Sequence, residues 1–259
     1  MTSPAASTLK IEAPDDIYRV RWAEGWQTLV YLYRHPFDTA QIARVIEALQ
    51  GRSVQRTLRR LRDRPAGREL LAARPDLRAA LADRAWLASL PVGSLGHAYL
   101  EHCGASGGMT AYVDDGTSSE RTAHLPEDEA YVQDYLFHGH DLYHLVTGYK
   151  TDLVGEVCLL AFTAGQLWNT GVIAMALLGG YSLRLPRLAG QRLWARAFVR
   201  ALRSAWLPEQ NWVELLARPL GEVRKQLGLD PPPVYRPLYI HKGRTPARVE
   251  PGERAQAAG

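Results

Sequence analysis

The chain has 259 residues, of which 46% are apolar and 22% are charged, proportions that exclude a disordered or fibrous chain and predict one large or two smaller globular domains. The net charge of +4 permits an anionic partner, either a membrane or a nucleic acid. The two cysteines, Cys103 and Cys158, lack the spacing of a secreted disulfide scaffold, which indicates a reducing, cytoplasmic compartment.

Helices are predicted along the first hundred residues. Residues 1–14 are rich in Ser, Ala and Pro and lack the apolar core of a secretory signal, so we expect a flexible N-terminus. A first helix is expected over 15–34, where apolar residues recur at helical spacing: Trp22, Trp26, Leu29, Val30 and Tyr33. Further helices are expected over 36–50, 53–63, 66–73, 76–89 and 94–103.

The sequence predicts an all-α fold. Residues 104–122 are rich in Gly, Ser and Asp and are expected to form a loop. No convincing run of alternating apolar and polar residues predicts a strand, and no internal repeat is found. We therefore expect a single helical domain over 15–230, followed by a Pro-rich segment and flexible tail over 231–259.

The next helix carries a cluster of polar residues that suits a metal ion. It is expected to begin near residue 126, and it places His140 and His144 one turn apart on one face, with Asp141 bordering the same stripe. Gly148 can end this helix in the left-handed conformation. A second helix starting near residue 151 would bring Glu156 back to face His144, which predicts a helical hairpin.

Two imidazoles and two carboxylates at this spacing suit zinc or another divalent cation. The alternative is a pair of solvated or hydrogen-bonded histidines, which a lone HxxxH pattern often represents. The motif is also similar to the HExxH signature of metalloproteases, but Asp141 occupies the position of the catalytic Glu, and this disfavours a protease.

A long uncharged segment follows the hairpin. Residues 157–183 contain no formal charge and are long enough to cross a bilayer. Thr, Gln and Asn interrupt the segment, so we expect a long buried central helix that packs against the metal-bearing helix. Glycines such as Gly165 and Gly171 suit tight packing of helices or a gap beside a ligand.

A basic helix comes next. Arg192, Arg196, Arg200 and Arg203 recur at intervals of four, four and three, which makes one helical stripe. With Trp194 and Phe198 on another side, the helix is predicted either to contact anionic lipid head groups or phosphate, or to present a solvated face. No nucleic-acid-binding motif accompanies the arginines, so no nucleic acid partner is expected.

Several segments resemble one protein family. The HDxxH motif followed by eleven residues and Glu, at 140–156, is similar to the signature of the coenzyme Q biosynthesis protein 4 family. Residues 90–99 (LPVGSLGHAY), 61–75 (LRDRPAGRELLAARP) and 211–224 (NWVELLARPLGEVR) resemble other segments of that family. The resemblance runs from about residue 20 to about residue 230.

The resemblance implies a mostly helical protein that holds zinc or another divalent metal through His140, Asp141, His144 and Glu156. It further implies action on a polyprenylated aromatic ring in ubiquinone biosynthesis, including oxidative removal of the ring carboxyl group, at the inner face of a membrane. Other ubiquinone-biosynthesis proteins and a second copy of the chain are partners to consider. Many family members carry arginines just before the motif, whereas residues 134–139 (DYLFHG) contain none, so a different ligand or other arginines are expected.

Two classes of function follow from the resemblance. In the first, the chain is an enzyme in which the metal stabilises charge as the carboxyl group leaves, with Asp141 or Glu156 serving as a base. In the second, it is a non-catalytic scaffold that binds isoprenoid lipid and organises other enzymes. In either case Gly165, Trp168 and Gly171 are predicted to line a tunnel for the isoprenoid tail, with ordinary core packing as the alternative. A metal hydrolase is a third class.

Overall fold

In a computed structural model, the described residues are 16–35, 39–106, 124–182 and 187–235. Within these ranges the chain is helical and contains no β-strand, which confirms the all-α prediction. The expected flexible N-terminus over 1–14, nearly all of the loop over 104–122 and the tail beyond residue 235 lie outside the described residues.

The first half of the chain forms short helices. A single 3-10 turn, Asp16–Tyr18, precedes helices α1 (Trp22–Arg34), α2 (Thr39–Leu49), α3 (Ser53–Asp63), α4 (Pro65–Ala73), α5 (Leu77–Ala82), α6 (Arg84–Ser89) and α7 (Leu95–Ser106). The single helix expected over 76–89 is divided in two. The division occurs because the Asp83 carboxylate accepts a hydrogen bond from the Trp86 amide at 2.9 Å and begins a new helix there.

The second half contains the predicted hairpin. Its helices are α8 (Glu127–His138), α9 (His140–Thr147), α10 (Leu153–Leu167), α11 (Thr170–Ser182), α12 (Arg187–Arg203), α13 (Trp212–Leu216) and α14 (Leu220–Gln226), with a 3-10 turn at Leu207–Glu209. The helix expected to run unbroken from about residue 126 is divided at Gly139. The two histidines of the motif therefore belong to the short helix α9.

The prediction of one long apolar helix over 157–183 is wrong. Helix α10 ends at Leu167, and the following residue, Trp168, adopts the left-handed conformation with φ of 50°. The Asn169 side-chain oxygen then accepts hydrogen bonds from the amides of Gly171 and Val172, at 2.8 and 3.2 Å, and begins α11. Among the described residues, none of the helices has the length and hydropathy required to cross a membrane.

The core places the hairpin at the centre of the fold. Helix α9 packs against α7, α8, α10 and α14, and helix α10 packs most extensively against α12 and α11. Leu142, Leu159 and Phe162 of the hairpin are fully buried. Because both sides of the hairpin are enclosed by helices, its position is fixed by the main hydrophobic core.

The buried face of helix α1 is not the face that carries its tryptophans. Its spacing correctly predicts a helix, but Trp22 and Trp26 are 70% and 68% exposed. The buried side consists of Gly25, Thr28 and Leu32. Gly25 lies against the side chain of Leu49, so α1 approaches α2 through its smallest residue and the tryptophans face outward.

Candidate metal centre

Three side chains of the hairpin converge on one point. His144 Nε2 lies 3.3 Å from Glu156 Oε1, and His140 Nε2 lies 3.8 Å from Glu156 Oε2. The two Nε2 atoms are 3.2 Å apart. The predicted facing of Glu156 and His144 across the hairpin is thus confirmed.

The turn between the helices forms as the sequence predicts. Gly148 has a φ of +78° and ends α9 in the left-handed conformation. Helix α10 begins at Leu153 because the Asp152 carboxylate accepts a hydrogen bond from the Val154 amide at 3.1 Å. Glu156 consequently lies in the first turn of α10, opposite the last turn of α9.

A backbone contact selects the tautomer of His144. Its Nδ1 donates a hydrogen bond to the Tyr149 carbonyl oxygen at 2.8 Å, so the neutral ring would carry its lone pair on Nε2. This lone pair is directed to the same place as the carboxylate of Glu156 and Nε2 of His140. Fixing the second ring nitrogen in this way is typical of histidines that ligate metals.

The three side chains fit a divalent cation in number and kind of donor. One ligand atom from each of His140, His144 and Glu156 lies within 4.8 Å of the others. Ligands about 2.0–2.2 Å from a tetrahedral zinc lie about 3.4 Å from each other, so small side-chain adjustments would complete this arrangement. Nitrogen and carboxylate donors in this proportion also suit other divalent transition metals.

The centre is buried on one side and accessible on the other. The His144 side chain is 2% exposed, whereas those of His140 and Glu156 are 29% and 40% exposed. Three candidate ligands with an accessible side resemble the open arrangement of catalytic zinc sites more than the closed, four-ligand arrangement of structural ones.

The charges of the centre stabilise one another. Burial lowers the pKa of His144, but the charge and hydrogen bond of Glu156, the hydrogen bond to Tyr149 and the charge of Asp141 together outweigh burial and raise the pKa above the ordinary value. Burial raises the pKa of Glu156, but the charges of His144, His140 and His102 and the hydrogen bond with His144 together outweigh burial and lower the pKa. Burial and the neighbouring His144 lower the pKa of His140. The arrangement therefore favours positive charge beside the Glu156 carboxylate.

Asp141 does not join the three converging side chains. It is buried, with 4% of its surface exposed, and its negative charge acts on His140, His144 and His102. The structure thus brings together three of the four predicted ligands and places the fourth in an electrostatic position beside them.

His102 is a neighbour of the centre that the sequence did not predict. Its ring stacks on that of His144, with centroids 5.9 Å apart and planes 30° from parallel. His97, on the same helix α7, contacts a different residue: its Nδ1 lies 3.5 Å from Oε1 of the exposed Glu101. His138, the other neighbouring histidine, is buried 3.3 Å from Asp134 and stays outside the centre. Spacing along one helix gives no signal for a contact such as that of His102, made from α7.

Neighbouring helices occupy the space beside the two glycines that were predicted to line a tunnel. A Cβ atom on Gly165 would lie 2.9 Å from the Cβ of Ala201, and one on Gly171 would lie 2.5 Å from the Cα of Ile46. Both glycines therefore serve close packing, the alternative given above. Trp168 is 54% exposed and has an edge contact with Phe198.

The arginine stripe is divided between surface and interior. Arg192, Arg196 and Arg203 are exposed, as a lipid or phosphate contact requires. Arg200 differs, because its guanidinium donates hydrogen bonds to three carbonyl oxygens, those of Thr147, Leu229 and Pro231. The assignment of Arg200 to a membrane contact is therefore corrected to an internal structural role.

The comparisons with known proteins agree on one family. A sequence model of the family described as "Coenzyme Q (ubiquinone) biosynthesis protein Coq4" matches residues 21–233. A relative from Arthroderma otae, named ubiquinone biosynthesis protein COQ4, mitochondrial, is 33% identical over 188 residues, covering 69% of this chain and 67% of the relative. A relative of the same name from Meyerozyma guilliermondii is 30% identical over 229 residues, covering 83% of this chain and 68% of the relative.

A solved structure shows the same fold. A protein of Nostoc punctiforme PCC 73102, provisionally assigned to ubiquinone biosynthesis, superposes with a TM-score of 0.61 at 21% identity, covering 82% of this chain and all of that one. In another relative, from Talaromyces stipitatus, the match covers 62% of the protein's length.

Proposed function

Because the chain belongs to the coenzyme Q (ubiquinone) biosynthesis protein Coq4 family, we propose that it is a metal-binding protein acting on a polyprenylated aromatic intermediate of ubiquinone biosynthesis. The reaction proposed is oxidative decarboxylation at the ring carbon that bears the carboxyl group. The ring–carboxyl bond would break and release carbon dioxide, a hydroxyl group derived from water would take its place, and an external two-electron oxidant would accept the two electrons. The observation that carries this proposal is the convergence of His140, His144 and Glu156 on an accessible point.

His140, His144 and Glu156 are the residues proposed to hold zinc or another divalent metal. When bound, such a cation polarises oxygen atoms of an aromatic head group and stabilises negative charge that develops on it. His144 is kept in the competent tautomer by the Tyr149 carbonyl oxygen. The partly exposed Glu156 carboxylate has a second oxygen that can accept a proton from a substrate hydroxyl.

Asp141 is proposed to act from behind the centre. Its buried carboxylate adds negative charge beside both histidines, which strengthens their attraction for a cation. This differs from direct ligation, which the family resemblance implies for Asp141, and the two roles are separated by the substitution described in the Discussion.

A non-catalytic role is the second candidate function. An isoprenoid-binding scaffold would also use the metal, in this case to brace α9 against α10. The observation that favours it is an exposed aromatic surface on the packed helices α1 and α11, formed by Trp22, Trp26, Tyr33 and Tyr181, which are 48–78% exposed. Aromatic side chains with polar tips are suited to the boundary between lipid and water.

The same surface supports the proposal of a peripheral membrane contact. The exposed Arg192 and Arg196 lie on α12, whose Trp194 contacts Gly180 beside Tyr181. Anionic head groups would pair with these arginines while the aromatic rings enter the interface. The inner face of a membrane is the proposed location, with a homodimer and other ubiquinone-biosynthesis proteins as further partners.

Native mass spectrometry with elemental analysis tests the proposed metal directly. Protein purified without added metal is expected to carry one divalent ion per chain, and a co-purified isoprenoid lipid would identify the ligand class. Incubation with a polyprenylated aromatic acid and an oxidant then separates the two functions, because only the enzyme releases carbon dioxide. A protein that is free of metal and indifferent to chelator contradicts both.

Sedimentation with anionic phospholipid vesicles tests the membrane contact. Replacing Trp22 and Trp26 by Ser is expected to lower the partition coefficient onto the vesicles about tenfold or more, since each exposed tryptophan contributes on the order of 1 kcal/mol. The control is Val92→Ser, which changes an exposed apolar side chain in the turn between α6 and α7. Equal binding by the double variant and the native protein contradicts the proposal.

A further inference from the structure

The turn between the two ligand helices is covered by the last described segment of the chain. Residues 229–235 begin at the fully buried Leu229 and cross the turn that joins α9 to α10. A Cβ atom on Gly148 would lie 2.5 Å from the Cβ of Pro232, so the segment is in direct contact with the turn. The packed domain expected to end at residue 230 therefore continues further, and we call residues 229–235 the C-terminal strap.

Tyr235 connects the C-terminal strap to the beginning of α10. Its hydroxyl donates a hydrogen bond to Asp152 Oδ2 at 2.9 Å and accepts one from the Lys150 amide at 2.7 Å. The other oxygen of Asp152 is the one that caps α10 through the Val154 amide. A Cβ on Gly155 would lie 2.5 Å from the Tyr235 hydroxyl, so this contact reaches the residue adjacent to Glu156.

Arg200 connects the C-terminal strap to the end of α9. Its Nη1 donates a hydrogen bond to the carbonyl oxygen of Thr147, the last residue of α9, at 2.6 Å. Its Nη2 donates to the carbonyl oxygens of Leu229 and Pro231, both in the strap. The guanidinium also lies 5.8 Å from the ring centroid of Tyr149, whose carbonyl oxygen holds His144.

From these contacts we infer that the C-terminal strap sets the separation of the two ligand helices, with Tyr235 and Arg200 as positioning residues of the metal centre. The inference rests on the proposed function in one respect, that the centre binds a metal. A cation shared by two helices binds tightly only if its ligand atoms are held within a fraction of an ångström of the positions that coordination requires. Groups outside the ligand set that provide this order typically contribute about 10–100-fold in metal affinity.

Zinc affinity of Tyr235→Phe tests the inference. This variant keeps the ring but removes both hydrogen bonds, and its dissociation constant for zinc, measured by competition with a chromophoric chelator, is expected to rise about tenfold or more. Arg200→Lys keeps the charge but loses the fork that reaches α9 and the strap together, so the same direction is expected. The matched control is Tyr131→Phe, whose hydroxyl contacts Pro75 away from the centre, and which is expected to bind zinc as the native chain does. Native affinity in both Tyr235→Phe and Arg200→Lys would overturn the inference.

A second measurement does not depend on metal. In the metal-free protein, hydrogen exchange at the Lys150 and Val154 amides is expected to be faster in Tyr235→Phe than in the native chain or in Tyr131→Phe. If the native chain binds no zinc, the proposed function fails. The role of the C-terminal strap in holding the two helices is then tested by hydrogen exchange alone. Unchanged protection of both amides in Tyr235→Phe would then overturn the inference.

Discussion

Glu156 and Asp141 are both acidic residues of the motif, but only one carboxylate faces the two histidines. Glu156 approaches both Nε2 atoms, whereas Asp141 is buried beside them and influences their charge. Replacing Glu156 by Gln removes a converging donor, so zinc affinity is expected to fall about 100-fold or more, and Asp141→Asn is expected to cost about tenfold.

Chelator competition on both variants measures this difference, with Glu101→Gln as the control, because Glu101 has a side chain that is 72% exposed and contacts His97. Equal losses in Asp141→Asn and Glu156→Gln would place Asp141 among the ligands, as the family resemblance implies.

Tyr131 gives a pH-dependent prediction remote from the metal centre. Burial is the main cause that raises the pKa of its phenol from the ordinary value to about 12. Below pH 10 the phenol is neutral in both folded and unfolded chains, and its contribution to stability is complete. Between pH 10 and about 12 the unfolded chain loses the proton more readily, so this stability is lost as pH rises.

Urea unfolding at neutral pH and near pH 11 measures the effect. The free energy of unfolding of Tyr131→Phe is expected to decrease less over this interval than that of the native protein, since Phe has no proton to release. The same decrease in both proteins would show that the phenol of Tyr131 titrates normally.

At the scale of helices, glycine contacts determine how closely neighbouring elements approach. A Cβ on Gly171 would meet the backbone of Ile46 at 2.5 Å, whereas one on Gly104 would meet no heavy atom within 4 Å. Gly171→Ala is therefore expected to lower the free energy of unfolding by about 1–3 kcal/mol through overpacking of α11 on α2. Gly104→Ala is expected to raise it by about 0.5–1 kcal/mol, because alanine favours a helix where space is open.

Thermal and urea unfolding of the two variants test this contrast. The pair is matched, since both glycines lie inside helices and both gain one methyl group. An unchanged free energy of unfolding in Gly171→Ala would mean that α11 and α2 can move apart without loss of stability, which contradicts the prediction.

Most helices could be predicted from periodicity and caps, but their interruptions could not. The range 53–63 is predicted with its observed ends, because apolar spacing and flanking residues agree. The break at Trp168 was missed, since a large aromatic residue rarely takes the left-handed conformation and the contact of its ring with Phe198 joins residues distant in sequence. The outward direction of Trp22 was missed for a similar reason. Periodicity shows which apolar residues share one face of a helix, but it does not show whether another helix packs on that face.

The candidate metal centre, that is, the convergence of its side chains, was predictable to the extent that it lies within one hairpin. The positions of His140, His144 and Glu156 follow from helix geometry and the glycine turn. The stacking of His102 and the contacts of Tyr235 were not predictable, because they join residues that only the complete fold brings together.

At the scale of the whole molecule, a cation that binds the folded chain alone adds its binding energy to the stability of the fold. Zinc present at 100 times its dissociation constant would contribute about 2.7 kcal/mol. For a chain of this length this corresponds to about 5–10 °C in the midpoint of thermal unfolding. Calorimetry with and without a chelator checks this, and Glu156→Gln, which loses the site, is expected to show little response to chelator.

The tryptophans of the chain are divided between water and core. Trp22 and Trp26 are about two-thirds exposed, at 70% and 68%, whereas Trp206 and Trp212 are 5% and 1% exposed. Their fluorescence should consequently comprise a red, readily quenched component and a blue, protected one. A bilayer that covers α1 would shield Trp22 and Trp26 from iodide and leave the protected component unchanged, so the unlabelled protein carries an optical reporter for that face.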